Sequence, residues 1–367
     1  MRRFRTNDVT NHHAGKGARK AACAHYGLLL ILFAGCNPHR RLSQWLSGKV
    51  AGRFRRIDNV IYFDVHIRYL RFAKLDPLES RRQASISSSR MTSDSKALTH
   101  LRSFIAQHRR LLVLTGAGCS AASGIPTYRN DSGEWQRNQP IQHADFINLA
   151  ASRRRYWARS LAGWPLIDLA QPNAAHWTLA AMEARDQISM LVTQNVDRLH
   201  QQAGHQNVVD LHGRLDQVIC LACHQVIERD HMQQQLLLLN NITRPIALAL
   251  APDGDADVEE QLTRELKVPD CERCGGILKP NVVFFGGAVP KTTVENIFSQ
   301  LDQADGLLVV GSSLTVFSGF RFCRHAHQKG LPIAAINQGK TRADDLFSVK
   351  LEADCVATLA ALESTNH

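Results

Sequence analysis

Five short runs in this chain are apolar at almost every position, and that pattern limits the fold more than any other feature. They are Leu111–Thr115, Ile188–Val192, Val282–Phe285, Leu307–Val310 and Ile333–Ile336. A strand with one wet face alternates polar and apolar residues. A strand covered on both faces does not, because both sides of the pleat are buried. Segments of helix length lie between the runs, among them Arg153–Ala162, Asn173–Arg185 and Thr293–Leu301. Strands alternating with helices predict an α/β fold built on a doubly wound parallel, Rossmann-like sheet. Right-handed crossovers then bring the strand C-termini to one edge, where ligands bind. No internal repeat is present. Residues 236–260 lack a period and are predicted to form surface loops, with "PDGDADVEE" a solvated acidic stretch.

The formal charge of +11 invites a nucleic-acid partner, but its distribution argues against one. Residues 1–90 hold 18 Lys/Arg against 5 Asp/Glu, whereas residues 91–367 hold 26 against 28. The basicity belongs to the first quarter, so neither a nucleic-acid nor a membrane partner is expected for the rest.

That first quarter shows no sustained period, and residues 1–90 are expected to be an unstructured or non-native extension, with Met91 the working start. One competing pattern lies within it. "GLLLILFAG", residues 27–35, is too short to span a bilayer, which takes about 20 residues. Followed by Cys36, it resembles a lipoprotein signal, which would imply export. The thiols described next favour a reducing, cytoplasmic setting.

Of nine cysteines, four form two C-x-x-C pairs, Cys220 with Cys223 and Cys271 with Cys274. Two thiolate hooks suit tetrahedral Zn²⁺, although buried reduced thiols or a redox pair would share the spacing. The 47 residues between the pairs leave room for an inserted subdomain of about 215–280. Four thiolates would close the coordination shell, so zinc here is expected to be structural.

Chemistry must come from elsewhere. After the first run, "TGAGCSAASG" places Gly116, Gly118 and Ala121 at the spacing in which backbone amides meet a pyrophosphate at a helix N-terminus. A glycine-rich turn alone often binds nothing. A dehydrogenase would also end a second strand on an acid about 20 residues on, and Glu134 lies in loop-like sequence instead. "LVTQNVDRLH" delivers Gln194, Asn195 and Asp197 to the same edge, where amides and a carboxylate could pair with a carboxamide such as that of nicotinamide. A loop capping the next helix would look alike. His212, after "VVDL", could take a proton from a ribose hydroxyl near neutral pH, or could be structural.

In this order, "GAGCSAASGIPTYR", "TQNVDRLH", "LHG", the paired C-x-x-C, "KPNVVFFGG", "GSSLTVFSG" and "INQG" resemble the sirtuins, NAD-dependent protein deacylases. The resemblance runs from Leu101 to Cys355. "QPIQHADF", "RYWARSLAGWP" and "VVGSSLTVFSGFRF" are similar to the class II branch, which includes a mitochondrial animal member; a bacterial-type enzyme is implied. Residues 91–367 would form the catalytic domain.

The resemblance implies roles position by position. Gly116, Ala117, Gly118 and Ser120 fall in the phosphate-binding turn, and Tyr128 with Arg129 in the flexible cofactor loop. Gln194, Asn195 and Asp197 surround nicotinamide and its ribose, with Asn195 and Asp197 catalytic alongside His212, the general base. Gly311, Ser312, Ser313, Asn337, Gln338 and Gly339 lie on the adenosine side, and Cys355 where the last loop touches adenine. Cys220, Cys223, Cys271 and Cys274 hold structural zinc. Val283, Phe284, Phe285 and Gly286, with Leu314–Phe317 opposite and Leu314 and Val316 in contact, sandwich an acylated peptide by β-augmentation. Two positions depart from the family pattern: Thr127 stands where Asp is usual, and Gly287 where an acid is usual.

The implied transferase reaction expels nicotinamide as the acyl oxygen of a modified lysine attacks ribose, giving an alkylimidate. His212 then deprotonates ribose, and water leaves free lysine and O-acyl-ADP-ribose. A protein mono-ADP-ribosyltransferase would use the same site but attach ribose to a protein nucleophile. A zinc-ribbon binding module would need a basic face that residues 91–367 lack as a net charge.

Overall fold

Leu111, Leu112, Val113 and Leu114 are all fully buried, as a strand covered on both faces requires. A computed structural model describes residues 52–57, 60–65, 96–128, 140–243, 247, 249–251 and 255–363. The chain divides after Ser80 into two units. The described part of the first is an antiparallel hairpin, β1 (Gly52–Ile57) with β2 (Val60–Val65). It falls within the segment expected to lack structure. "FRRI" and "VIYFDV" carry the β-branched and aromatic residues that favour paired strands. The lipoprotein-like stretch 27–36 lies outside the described residues.

In the second unit a six-stranded parallel sheet contains β3 (Leu111–Thr115), β4 (Ile188–Thr193), β5 (Val208–Asp210), β11 (Gly306–Val310), β12 (Ile333–Ile336) and β13 (Val349–Leu351). Its spatial order is β13-β12-β11-β3-β4-β5. Numbered from β3, this is the 3-2-1-4-5-6 order of dinucleotide-binding sheets, read from the far edge. The order reverses between β3 and β11, the point at which sheets of this order bind ligands. Helix α1 (residues 96–107), α4 (Ala174–Ala184) and α10 (Cys355–Glu363) cover one face. Helices α8 (Lys291–Leu301) and α9 (Phe317–Gln328) cover the other.

One predicted strand is corrected. Val282–Phe285 is not part of the parallel sheet. The strand there is β10 (Leu278–Val282), antiparallel to β6 (Gly213–Cys220), which also pairs with β7 (Val226–Glu228). Its apolar run packs a second, smaller core, so burial alone did not identify which sheet it joins. The stretch predicted as loops likewise differs. Residues 236–260 take in the last turn of α6 (Arg229–Leu239) and a short hairpin of β8 (Ala249–Ala251) with β9 (Asp255–Asp257), and end where α7 (Glu260–Glu265) begins.

The smaller core is not self-sufficient. It is completed by α2 (His143–Asn148) and α3 (Ala150–Asp168), which bring Phe146, Tyr156, Trp157, Leu161 and Trp164 against Leu215, Val218 and Met232. About 65 residues bury too little apolar surface to be comfortable alone. Pro165 inside α3 cannot donate to the carbonyl of Leu161. Gln233 of α6 donates to that carbonyl instead, at 2.8 Å. A helix defect thus becomes a link between α3 and α6.

Candidate active site

The turn after β3 is bound to the end of β11 across the point where strand order reverses. Gly116 N donates to Val310 O at 3.0 Å and Gly118 N to Gly311 O at 2.9 Å. A Cβ on Gly116 would lie 2.7 Å from Ser312 Cβ, and one on Gly118 2.9 Å from Gly311 Cα. Neither position admits a side chain. The turn does not open a regular helix, as its spacing suggested. Two short 3-10 turns, Ala117–Cys119 and Ala121–Ser123, follow it. Asn173, which the sequence did not single out, braces them. It caps α4 by accepting from Ala175 N at 2.9 Å and donates to Cys119 O at 2.7 Å and Ser123 Oγ at 2.9 Å.

Beyond β4 the polar residues form one connected chain of hydrogen bonds. Asn195 Nδ2 donates to Gly116 O at 3.0 Å and to Ser120 Oγ at 2.9 Å. Ser120 Oγ donates in turn to Asp197 Oδ2 at 2.6 Å. Asp197 Oδ1 accepts from Leu199 N at 3.0 Å at the start of the short helix α5 (Leu199–Gln202), so part of the capping role is also realised. Burial raises the Asp197 pKa, and the Ser120 and Leu199 donors offset this only in part. Gln194 Nε2 donates to Ser312 Oγ at 2.7 Å and Thr115 O at 3.2 Å. It fits there because residue 319 is glycine: a Cβ would meet Gln194 Oε1 at 2.7 Å.

His212 follows β5, and its surroundings fix its tautomer. Nδ1 lies 2.9 Å from the carbonyl oxygen of Gln194, which can only accept, so Nδ1 carries the proton. Nε2 is left with its lone pair, 2.7 Å from Ser318 Oγ, whose hydroxyl donates to it. Burial lowers the His212 pKa, and the nearby Arg321 cation lowers it further against the opposing carbonyl. Burial therefore favours the neutral ring, with Nε2 unprotonated. Ser318 lies within the "GSSLTVFSG" stretch, but its sequence position gave it no role of its own.

Three further histidines lie behind Thr115. His200 Nε2 pairs with Thr115 Oγ1 at 2.9 Å, and the His176 and His205 rings lie 4.8 and 5.4 Å from the His200 ring. Burial lowers all three pKa values, that of His176 to about 4.

The two segments expected to hold a peptide both adjoin His212. Val283 N donates to His212 O at 2.7 Å. Phe284 is buried against Phe146 and Tyr156, while Phe285 meets the Tyr128 ring edge-on at 5.8 Å. Gly286 takes φ +76°, and Gly287 N donates back to Phe284 O at 2.9 Å. Opposite, Leu314 is buried at φ +55° and Val316 is 40% exposed, one residue before α9. Lys279 was not anticipated. Its buried ammonium donates to Pro280 O at 3.0 Å and to Val282 O, with Nζ 4.5 Å from the Phe284 ring centroid; burial lowers its pKa to about 8.

On the adenosine side expected from the sequence, Gly311 takes φ +61°, Ser312 is buried and Ser313 Oγ pairs with Thr315 Oγ1 at 3.0 Å. Asn337 is buried after β12, with Gln338 exposed and Gly339 O accepting from Lys350. Cys355 begins α10, buried with its thiol beside that of Cys119. Arg129 lies outside the described residues. The glycine turn that no Cβ can enter, the amide pair and the carboxylate fit a dinucleotide with a carboxamide end.

The four cysteines converge. Their sulfurs all lie within 4.8 Å of one another, with Cys220–Cys274 at 3.5 Å and Cys223–Cys271 at 3.8 Å. Zn–S bonds of about 2.3 Å give a tetrahedron with edges of about 3.8 Å, so the set fits zinc. Backbone N–H groups of Cys223 and Ala222 lower the Cys220 pKa, while the neighbouring sulfurs raise that of Cys274. A Cβ at Gly276 would reach Cys220 Sγ at 2.8 Å, so glycine leaves the sulfurs room to close.

The Sir2 family model matches residues 116–318. An NAD-dependent protein deacetylase of Xanthomonas axonopodis pv. citri (strain 306) is 54% identical over 267 residues, covering 73% of this chain and 91% of the relative. A mitochondrial NAD-dependent protein lipoamidase sirtuin-4 of Bos taurus is 46% identical over 273 residues, covering 74% and 87%. The fold is similar to a structure of Sir2Tm bound to a propionylated peptide, with a TM-score of 0.58 and 26% identity over 73% of this chain and 98% of that one.

Proposed function

Because this chain belongs to the Sir2 family, we propose that the constellation around His212 is the active site of an NAD-dependent protein-lysine deacylase. The observation that carries the assignment of the base is the fixed tautomer, with Nδ1–H held by the Gln194 carbonyl and the Nε2 lone pair left to accept, in this structure from Ser318 Oγ. When bound, NAD supplies the ribosyl carbon that accepts the acyl oxygen and gives up nicotinamide. Gly116, Ala117, Gly118 and Ser120, with Gly311, Ser312, Ser313, Asn337, Gln338, Gly339 and the Cys355 backbone, would hold its phosphates and adenosine. Tyr128 and Arg129 would contact it from the cofactor loop.

Asn195 and Asp197 would orient the nicotinamide end. Their side chains are already fixed by Ser120 and Gly116, so little ordering is left for binding. The Asp197 carboxylate would draw the carboxamide donors toward itself. His212 Nε2 would receive a ribose hydroxyl proton, with the Gln194 carbonyl stabilising the imidazolium through Nδ1–H. Val283–Gly286 and Leu314–Val316 would grip the backbone around the acylated lysine as added strand partners.

Zinc, held by Cys220, Cys223, Cys271 and Cys274, would stabilise the smaller subdomain through four thiolates, with no place for substrate. Those thiols must stay reduced, which supports a cytoplasmic setting. No helix among the described residues is long and apolar enough to cross a membrane.

The test is a panel of acyl-lysine peptides incubated with NAD labelled in its adenosine portion and followed by mass spectrometry. Free lysine, nicotinamide and label on O-acyl-ADP-ribose are expected. Label on the protein or peptide, with the acyl group retained, would overturn the deacylase assignment in favour of ADP-ribosyl transfer.

A further inference from the structure

Helix α9 begins beside the proposed peptide edge, and its first exposed side chain gathers positive charge. Phe317 is 42% exposed. The guanidinium carbons of Arg321, Arg324 and Arg342 lie 5.3, 5.2 and 5.7 Å from its ring centroid. Arg321 and Arg324 stand four and seven residues beyond Phe317 and so share its helix face. Arg342 arrives from the loop after β12. It is fixed to the same edge by donating from its backbone N to Ser313 O at 2.9 Å and from Nη1 to Thr315 O at 3.2 Å. It also lies 4.5 Å from the Phe320 ring.

Among the described residues, none of the three arginines forms an ion pair. Asp344 is engaged with Lys350 and Thr341, and Asp302 with His325 and Lys329. Arg321 Nε is buried without a hydrogen-bond partner. Cation–π contact with an exposed ring offsets only a small part of the repulsion among these arginines. Three like charges therefore meet around one ring, with a negative counterpart missing, in a segment whose net charge from residue 91 onward is slightly negative.

We propose that Arg324 and Arg342, with Arg321 behind them, select acylated lysines flanked by acidic residues. This rests on the assignment of 283–286 and 314–316 as the peptide-binding segments. An extended peptide advances about 3.3 Å per residue. The acylated lysine must reach His212, and Ser318, bonded to His212, is the next residue after Phe317. Side chains one to three positions from that lysine therefore fall beside this patch. Guanidinium groups on aromatic faces suit carboxylates because the planar fork pairs with both oxygens. The exposure of Arg324 and Arg342 places them at the mouth of the cleft rather than at the buried acyl end.

The test compares kcat/KM for acetyl-lysine peptides carrying Asp, Ala or Lys at each of three positions on either side. The acidic peptides should exceed the alanine peptides about tenfold at one or more positions, and the gain should shrink at high salt. Arg324→Ala should remove most of that gain while turning over the alanine peptide normally, and Arg324→Glu should invert the preference. Retention of the full preference in Arg324→Glu combined with Arg342→Ala would overturn the proposal, as would equal turnover of all flanks by the unaltered protein. A preference that follows a carboxylate on the acyl group, regardless of flanks, would also overturn it. Absence of both deacylation and nicotinamide exchange with every peptide would instead overturn the assignment of the active site, and this proposal with it.

Discussion

Replacing Asp197 by Asn separates a functional carboxylate from a structural cap. In the native protein its two oxygens accept from Ser120 Oγ at 2.6 Å and Leu199 N at 3.0 Å. Ser120 Oγ also accepts from Asn195 Nδ2, so its single proton is committed to Asp197. An asparagine can offer its oxygen to Leu199 or to Ser120, but its NH₂ then faces the other donor. One charge-assisted bond is lost, about 1.5–3 kcal/mol. Against this, the side chain is 8% exposed, and an ionised carboxylate loses several kcal/mol of hydration on burial. The two effects are of the same size, so the net stability change should stay within about 1 kcal/mol. That is about 2–4 °C in Tm for a domain of this length.

The sign with pH follows from the raised pKa: ionising Asp197 costs stability, absent at low pH and full above the folded pKa. The Asn variant should gain on the native protein as pH rises through that range. Nicotinamide exchange, measured with labelled nicotinamide, should fall about 10²–10³-fold, the usual cost of one preorganised electrostatic group. Exchange at the native rate would refute the role given to the carboxylate. A Tm loss of about 10 °C, with exchange restored on cooling, would show that Asp197 acts only as a cap.

His212→Ala should cost deacylation about 10²–10⁴-fold while sparing nicotinamide exchange more, and full deacylation by this variant would make the histidine structural. Because the His212 pKa is lowered, the acid limb of kcat/KM should lie below pH 6.5, and Arg321→Ala should move it to higher pH. Cys220→Ala should lower bound zinc and Tm together, since metal binding is coupled to folding; a stable, metal-free variant would end that assignment. Gly319→Ala should push Gln194 off Ser312 and raise the KM for NAD about tenfold, one hydrogen bond's worth, at nearly unchanged Tm. Thermal melts should show stability lost as pH falls from 6.5 toward 4, about 3 kcal/mol of it from His176, which is neutral when folded and protonates more readily unfolded. His176→Gln should flatten that slope.

Strand runs, the glycine turn and the paired cysteines were legible because each is a local pattern with a local cause. Uninterrupted apolar runs require burial on both faces, Gly116 and Gly118 sit where no Cβ fits, and C-x-x-C spacing sets two sulfurs side by side. The polar order of Gln194, Asn195, Asp197 and His212 was legible for the same reason, since strand ends fix where those residues emerge. Which sheet a buried run joins was not. Val282 is as apolar as Val310, yet it ends an antiparallel strand in the smaller core, because pairing partners are chosen across the chain and burial does not name them. The same holds for roles that exist only between distant segments. Ser318 bonds His212 from 106 positions away, Gln233 satisfies the carbonyl that Pro165 leaves open, and Arg342 joins Arg321 and Arg324 around Phe317. A serine, a glutamine or an arginine carries no mark of its partner; a hydrogen bond or stacked cation is set by separation in space, which only the closed tertiary fold supplies.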